Sequence, residues 1–391
     1  RVRTEAGQVI VEIDHPAGIT GENLAIGLGG GTIVNSLGQA RVSDRFRAMQ
    51  QRAVRAPNVG ELASPVVTGL DNANFDPCSV GNPNPIDATL TALCISTGML
   101  APQVGTVEDI VSGQINIFEG TNLAALPGPE VADTTTVGVV WTPDSLGIPA
   151  ITRPTMTLDY YNIEINDYIE GPPAQAVLDG CYVLGDPVQC ANVVRVGGNL
   201  TNDGSGVRTL TTNLDYLQAE GVEFGAFFGV DLETAGTLDV SLNVNKYITN
   251  EFQPDPLVGV TNCSGIYSVS CGGNFGTPLP EWRFTQRTMW NYGDFQFGYQ
   301  WRYLGEVSTD DPANVFDAFE TIDAYNYIDL MGNWQATDNL RVNAGVRNVF
   351  EEEPPVVGGE AGDTGSNNGN TFPSTYDVLG RVFTIGVDVA F

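Results

Sequence analysis

The end of the chain carries a clear alternation. Phe383, Ile385, Val387, Val389 and Phe391 are large and apolar, and their neighbours Thr384, Gly386, Asp388 and Ala390 are small or polar. A period of two predicts a β-strand with two unlike faces. The same period recurs throughout. Val9, Val11 and Ile13 alternate within 1–14. Within 41–54, Arg45 and Arg47 oppose Phe46 and Ala48. Val137, Val139 and Trp141 share a face of 134–142, and Met156, Leu158 and Tyr160 alternate with Thr157, Asp159 and Tyr161 in 151–168. A long strand is predicted over 207–230, then strands over 238–251, 282–291, 295–303, 325–335 and 341–347. That makes about eleven strands with the C-terminal one.

The connections between these strands alternate in length. Short turns at 143–149, 232–236, 292–294 and 338–339 alternate with long irregular stretches at 56–131, 169–206, 252–281, 306–322 and 351–378. GLGGG at 27–31 reads as a hinge or turn, since no Lys-Ser/Thr or following helix makes it a phosphate loop. Short helices are predicted at 86–97 and around PAQAVLDGC (173–181). The six cysteines fall as three close pairs inside three of the long loops: Cys78 with Cys94, Cys181 with Cys190, and Cys263 with Cys271. Even, local pairing points to disulfides and an oxidising compartment. Zinc is the competing reading. It is disfavoured because no pair has CxxC spacing and the single histidine, His15, is remote.

Composition changes the picture in two ways. No run approaches 18 consecutive apolar residues, which excludes a transmembrane helix but not a transmembrane barrel, whose apolar signal is diluted by alternation. The net charge is −30, from 47 acids and 17 bases, so nucleic acid is not an expected partner. No base occurs between Arg55 and Arg153, and 306–322 and 351–378 carry only acids. The bases sit mainly in strands and the acids crowd the loops. Solvation of the loops, divalent-cation binding and steering of a cationic ligand are open readings of those acids.

An antiparallel meander with short turns at one rim and long loops at the other is the plan of an outer-membrane barrel. The polar strand positions include Arg302, Arg341, Arg347, Asp239 and Asp388, which suits a filled or aqueous lumen. The opposite positions carry Trp141, Tyr299, Trp301, Tyr303 and Trp334, as an aromatic girdle would. A large soluble β-sandwich is the alternative. Residues 1–14 read as strand and not as a leader peptide, so the chain is expected to begin within a longer one. An odd strand number leaves two unpaired edges, which hydrocarbon does not tolerate. These residues are therefore expected to be a portion of a barrel and not a closed one.

The stretch FRAMQQRAVRAPNVGEL (46–62) resembles a motif of TonB-dependent outer-membrane receptors, in which a strand ends in Arg-Ala-Pro-Asn before a long loop. TVGVVWTP (136–143), LDYYNIEINDYI (158–169), GVEFGAF (221–227), RVNAGVRNVFEEEPP (341–355) and GRVFTIGVDVAF (380–391) are similar to the same family, in order along the chain. The resemblance implies an all-β fold, an antiparallel transmembrane barrel of about 22 strands around a plug. Residues 1–391 would be the C-terminal half of that single domain, without the plug, the TonB box or the N-terminal strands. It also implies outer-membrane localisation among lipids and lipopolysaccharide, coupling to the TonB complex through the missing plug, and uptake of a small nutrient. Phe391 would be the signal read by the assembly machinery. A passive porin and a soluble secreted β-protein are the competing functions.

No enzyme site is legible, no cofactor is implied, and His15 has no nucleophile elbow near it. Asp310-Asp311 and Glu351–Glu353 match no EF-hand spacing. Tyr161, Tyr168, Tyr267 and Arg302 are residue types that ligands use, yet girdle, lumen lining or loop packing is the stronger reading of each, so no ligand site is assigned.

Overall fold

The computed structural model describes residues 45–390 apart from 111–112, 255–258, 268–270, 272–277, 311, 313–314 and 359–368; within 1–44 it describes the backbone of 2–5, 8–11, 23–29, 32–34, 40–42 and 44. His15, Ile13 and Phe391 lie outside the described residues.

One large antiparallel sheet organises the chain. Its strands are β1 (Asn23–Gly29), β2 (Asp44–Arg55), β3 (Glu130–Trp141), β4 (Ile151–Asn166), β5 (Tyr216–Asp231), β6 (Thr237–Gln253), β7 (Trp282–Tyr292), β8 (Phe295–Leu304), β9 (Tyr325–Thr337), β10 (Leu340–Arg347) and β11 (Val382–Val389). Their spatial order is their sequence order, so the sheet is an uninterrupted meander. The predicted alternation of connection lengths is therefore a division into a turn rim and a loop rim. Among the described residues β1 and β11 are not paired with each other.

Register places the side chains on two faces of opposite character. On one face lie Val222, Phe224, Ala226, Phe228 and Val230 of β5, beside Leu238, Leu242 and Val244 of β6. On β11, Phe383, Ile385, Val387 and Val389 point the same way and stay 51–81% exposed, so nothing within the described chain covers them. An open apolar face of this extent marks a surface that meets a membrane or another protein segment. Toward the turn rim this face carries Trp290 stacked on Tyr292 (5.6 Å) and Phe295 stacked on Trp334 (5.9 Å). Toward the loop rim Phe284 meets Tyr303 and Trp301, each at 4.7 Å, and Lys246 Nζ lies 5.0 Å from the Trp282 ring. The two aromatic rows bound an apolar band. From Phe295 to Tyr303 the strand advances about 26 Å at ~3.3 Å per residue, or roughly 20 Å in height at barrel-like tilt. Above the band the same face turns polar, with Arg52 bonded to Asp133 and Tyr160 to Glu220.

Three differences from the pattern reading have physical causes. Within 1–14 the described segments lie outside the large sheet: Val2–Glu5 pairs with Gln8–Val11 in a two-stranded sheet of its own. The first strand of the sheet is β1, so Gly27 to Gly29 belong to a strand and not to a hinge. The long strand expected over 207–230 is interrupted. Gly206–Arg208 pairs in parallel with Ile117–Phe118 in a loop sheet, and β5 starts at Tyr216. Within β4, Pro154 lacks an N–H, and pairing with β5 slips between Thr152 and Thr155.

The long loops fold on one another. Loops 56–129 and 167–215 share a core of Ile115, Val177, Leu178, Leu200, Val207 and their neighbours. That lobe contains a four-stranded sheet ordered Val193–Val194, Gly206–Arg208, Gln114–Glu119, Val67–Asn72. It also holds helices α1 (Val59–Ala63), α2 (Ala88–Ser96), α3 (Ala174–Tyr182) and α4 (Pro187–Asn192). A second lobe gathers Tyr267, Val307, Ile322, Val357, Phe372 and Tyr376 from the last three long loops. The cysteines form Cys78–Cys94 and Cys181–Cys190 in the first lobe and Cys263–Cys271 beside the second.

Candidate functional site

The polar face of the sheet holds a groove of about 520 Å³ crossing β2 to β9. Its chemistry follows from strand alternation: the positions opposite the apolar band supply Arg47, Asp159, Glu223, Asn245, Arg283 and Arg302. Ion pairs organise some of it. Arg47 donates from Nε and Nη2 to the two oxygens of Asp159, at 2.7 and 2.5 Å. These residues belong to β2 and β4, with β3 between them. The pair can span β3 because Gly138 sits beneath it; a Cβ at Gly138 would occupy the space of the Asp159 carboxylate. Gly221 on β5 serves similarly: Tyr161 of β4 crosses it to reach Asn245 of β6, donating to Oδ1 at 3.3 Å.

The last long loop dips into this face. Asp377 is nearly buried and is held by Arg347 at 2.9 Å and Arg302 at 3.4 Å, while its N–H donates to the Tyr327 hydroxyl at 3.2 Å. Arg302 is itself fixed by Asp329, from Nε at 2.9 Å and Nη2 at 3.2 Å, and stacks 4.8 Å from the Tyr327 ring. Phe372 and Tyr376 anchor the loop in the second lobe, and Thr375 lines the groove. The segment is thus a latch, apolar toward the lobe and ionic toward the wall.

At the loop rim, the Arg-Ala-Pro-Asn stretch acts as a junction. Arg55 closes β2 and donates to Glu130 on β3 at 2.5 and 2.9 Å and to Glu61 of α1 at 2.8 Å. Asn58 caps α1: its side chain accepts from the Glu61 N–H at 3.0 Å, and Glu61 accepts from the Asn58 N–H at 2.7 Å. One arginine therefore ties two wall strands to the first turn of the loop. Deeper in that lobe Arg195 and Asp76 form a fully buried bidentate pair at 2.6 and 2.7 Å, with Tyr182 3.1 Å from Arg195 Nε. Burial pushes the Tyr182 hydroxyl above its ordinary range. Glu170, beside the junction, is in hydrogen-bond contact with Tyr168; burial first, then the charge of Glu61, pushes it up to about 7.

The residue types singled out in the sequence separate here. Tyr161 and Arg302 stand on the polar face. Tyr168 belongs to the first lobe with Glu170, and Tyr267 is fully buried 5.9 Å from Phe372, so it packs and does not meet solvent. Asp159, Glu223, Asn245 and Arg283 were not singled out as ligand-type residues; their signal was the polar half of the strand alternation. Among the described residues no group of three or more His, Cys, Asp or Glu is arranged to hold a metal ion.

The sequence matches the family described as TonB dependent receptor-like, beta-barrel over residues 43–349. A comparison with curated proteins finds no match. Among solved structures the chain is similar to mutant forms of the ferric enterobactin receptor from Pseudomonas aeruginosa. One, solved with enterobactin, is 14% identical with a TM-score of 0.54, and another is 13% identical with a TM-score of 0.53. Each alignment covers 95% of this chain and 40% of the other, so this chain spans well under half the length of those receptors. At that identity the likeness is one of fold.

Two outcomes follow. In a double-mutant cycle on Arg47→Met and Asp159→Leu, the half-exposed pair is expected to couple by about 0.2–1 kcal/mol in unfolding titrations. The coupling should vanish in a Gly138→Val background; an unchanged coupling contradicts the saddle role. The second concerns pH. Glu170 is neutral in the folded lobe below about 7. Its folded value lies above the unfolded one, so stability is present at low pH and lost as pH rises toward and through the folded value. Limited proteolysis within 167–215 is expected to accelerate from about pH 5 to pH 8 and to flatten in Glu170→Gln. A wild-type profile already flat would contradict this.

Proposed function

Because the chain belongs to the TonB dependent receptor-like β-barrel family, we propose that it forms a portion of the wall of a bacterial outer-membrane receptor that imports a small nutrient using energy relayed by the TonB complex. The observation that carries this is the inverted polarity of the meander. An apolar band between two aromatic rows suits hydrocarbon, and a charged opposite face suits a lumen. On this reading the turn rim is periplasmic and the loop rim extracellular. The lobes and their disulfides meet an oxidising exterior beside lipopolysaccharide.

The remaining barrel strands and a plug that contacts TonB would complete the protein. The relatives' length supports this: the chain covers 40% of each ferric enterobactin receptor. A binding function needs no covalent chemistry, and the ion pairs on the polar face are of the kind that orient and hold. The substrate need not follow those receptors. A net charge of −30, with loops rich in acid, works against a strongly anionic chelate and leaves peptide, carbohydrate or cobalamin-like solutes open.

The test is genetic. A strain lacking the full-length gene is screened on single carbon, nitrogen and iron sources. The deficit is expected to be restored by the gene only when the TonB complex and the proton gradient are intact. Restoration without either would indicate a passive pore.

A further inference from the structure

On the polar face four guanidinium groups hold a carboxylate, while among the described residues Arg45, Arg287 and Arg341 hold none. Arg47 has Asp159, Arg153 has Asp239, and Arg302 and Arg347 share Asp377. Arg283 also has no carboxylate partner among the described residues, and it differs from the other arginines of this face in that its Nε is buried without an acceptor. Its neighbour is the Tyr247 ring, 5.8 Å away. A buried donor left unpaired is costly, so it points to an acceptor arriving from elsewhere.

Glu223 is the mirror case. Its carboxylate is exposed in the same groove and accepts no hydrogen bond among the described residues. Register connects the two: Glu223 pairs with Asn245, and Asn245 pairs with Arg283. An anion and a cation that form no ion pair among the described residues thus stand on backbones two strand spacings apart, about 10 Å, with Arg47 adding its charge beside Glu223. Between them Asn245 accepts from Tyr161 through Oδ1, which leaves its amide N–H groups to donate.

We propose that Glu223, Asn245 and Arg283 form a binding site for a zwitterionic solute whose cation and carboxylate lie about 10 Å apart. The simplest such class is an extended peptide of about three residues with free termini. Its carboxylate meets the Arg283 guanidinium in a charge-assisted hydrogen bond, its ammonium meets Glu223, and a peptide carbonyl accepts from Asn245. The acidic loops favour this over a simple anion, because a molecule of zero net charge is not repelled on approach. The proposal rests on the reading of the protein as a solute receptor and narrows its substrate class.

The experiment measures binding of trialanine to the purified full-length receptor by calorimetry, alongside N-acetyl-trialanine and trialanine amide. Wild type is expected to bind trialanine, and either blocked peptide to bind about 10- to 100-fold more weakly. Glu223→Gln should lose a similar factor for trialanine and show no further loss on N-acetylation. Arg283→Met should behave likewise toward amidation. Absence of trialanine binding by wild type, equal binding of free and blocked peptides, or indifference to both substitutions overturns the site. If a variant fails to fold, judged by heat-modifiable gel migration, the blocked peptides on wild type decide alone. Binding in detergent needs neither TonB nor a proton gradient. Failure here with energised uptake intact removes the site and spares the transport reading; the reverse pattern does the opposite.

Discussion

In hydrocarbon an unpaired backbone N–H or C=O costs several kcal/mol, and water is not there to relieve it. On the proposed reading the wall of this protein is arranged around that constraint. Each interior strand of the meander pairs on both sides, and the side chains then have only two directions to take. One direction carries Phe224, Leu242 and Phe383, the other Glu223, Asn243 and Thr384. Once register is set, the apolar face and the polar face are set together. A slip by one residue would exchange them.

The charged face could not simply be filled with long side chains, because adjacent strands crowd each other. The chain meets this with small residues under the longest reaches. Gly138 lets Arg47 and Asp159 join across β3, and Gly221 lets Tyr161 cross β5. The latch answers the opposite need. Asp377 neutralises some of the charge of Arg302 and Arg347 and brings Thr375 to the groove, while Phe372 and Tyr376 keep the loop attached to its lobe. The groove is therefore bounded by the wall on one side and by a folded loop on another.

The wall was legible in the sequence because alternation is a local signal: Val137 to Trp141 or Phe295 to Tyr303 announce their faces without reference to any partner. The cysteine pairs were legible for the same reason, each lying within one loop. What alternation could not show depended on contacts between distant segments. Val207 alternates like a wall residue, yet it is buried against Ile117 in a loop sheet. Tyr267 has the chemistry of a ligand contact and serves instead as lobe core. Glu223 and Arg283 are ordinary polar strand positions until register brings both beside Asn245. Arg55 was recognised by its motif, but its junction with Glu130 and Glu61 emerges only from the fold.

The most direct measurement is a spin-label scan of β6, one position at a time from Leu238 to Lys246, in the full-length protein reconstituted into lipid bilayers. The expected outcome is a period of two. Labels at Leu238, Val240, Leu242 and Val244 should be relaxed by oxygen dissolved in the lipid. Labels at Asp239, Ser241, Asn243 and Asn245 should be shielded from it and, where the lumen is open, reached by a water-soluble nickel chelate. Loss of the alternation, or the opposite phase, would contradict the assignment of lipid and lumen faces on which the rest depends.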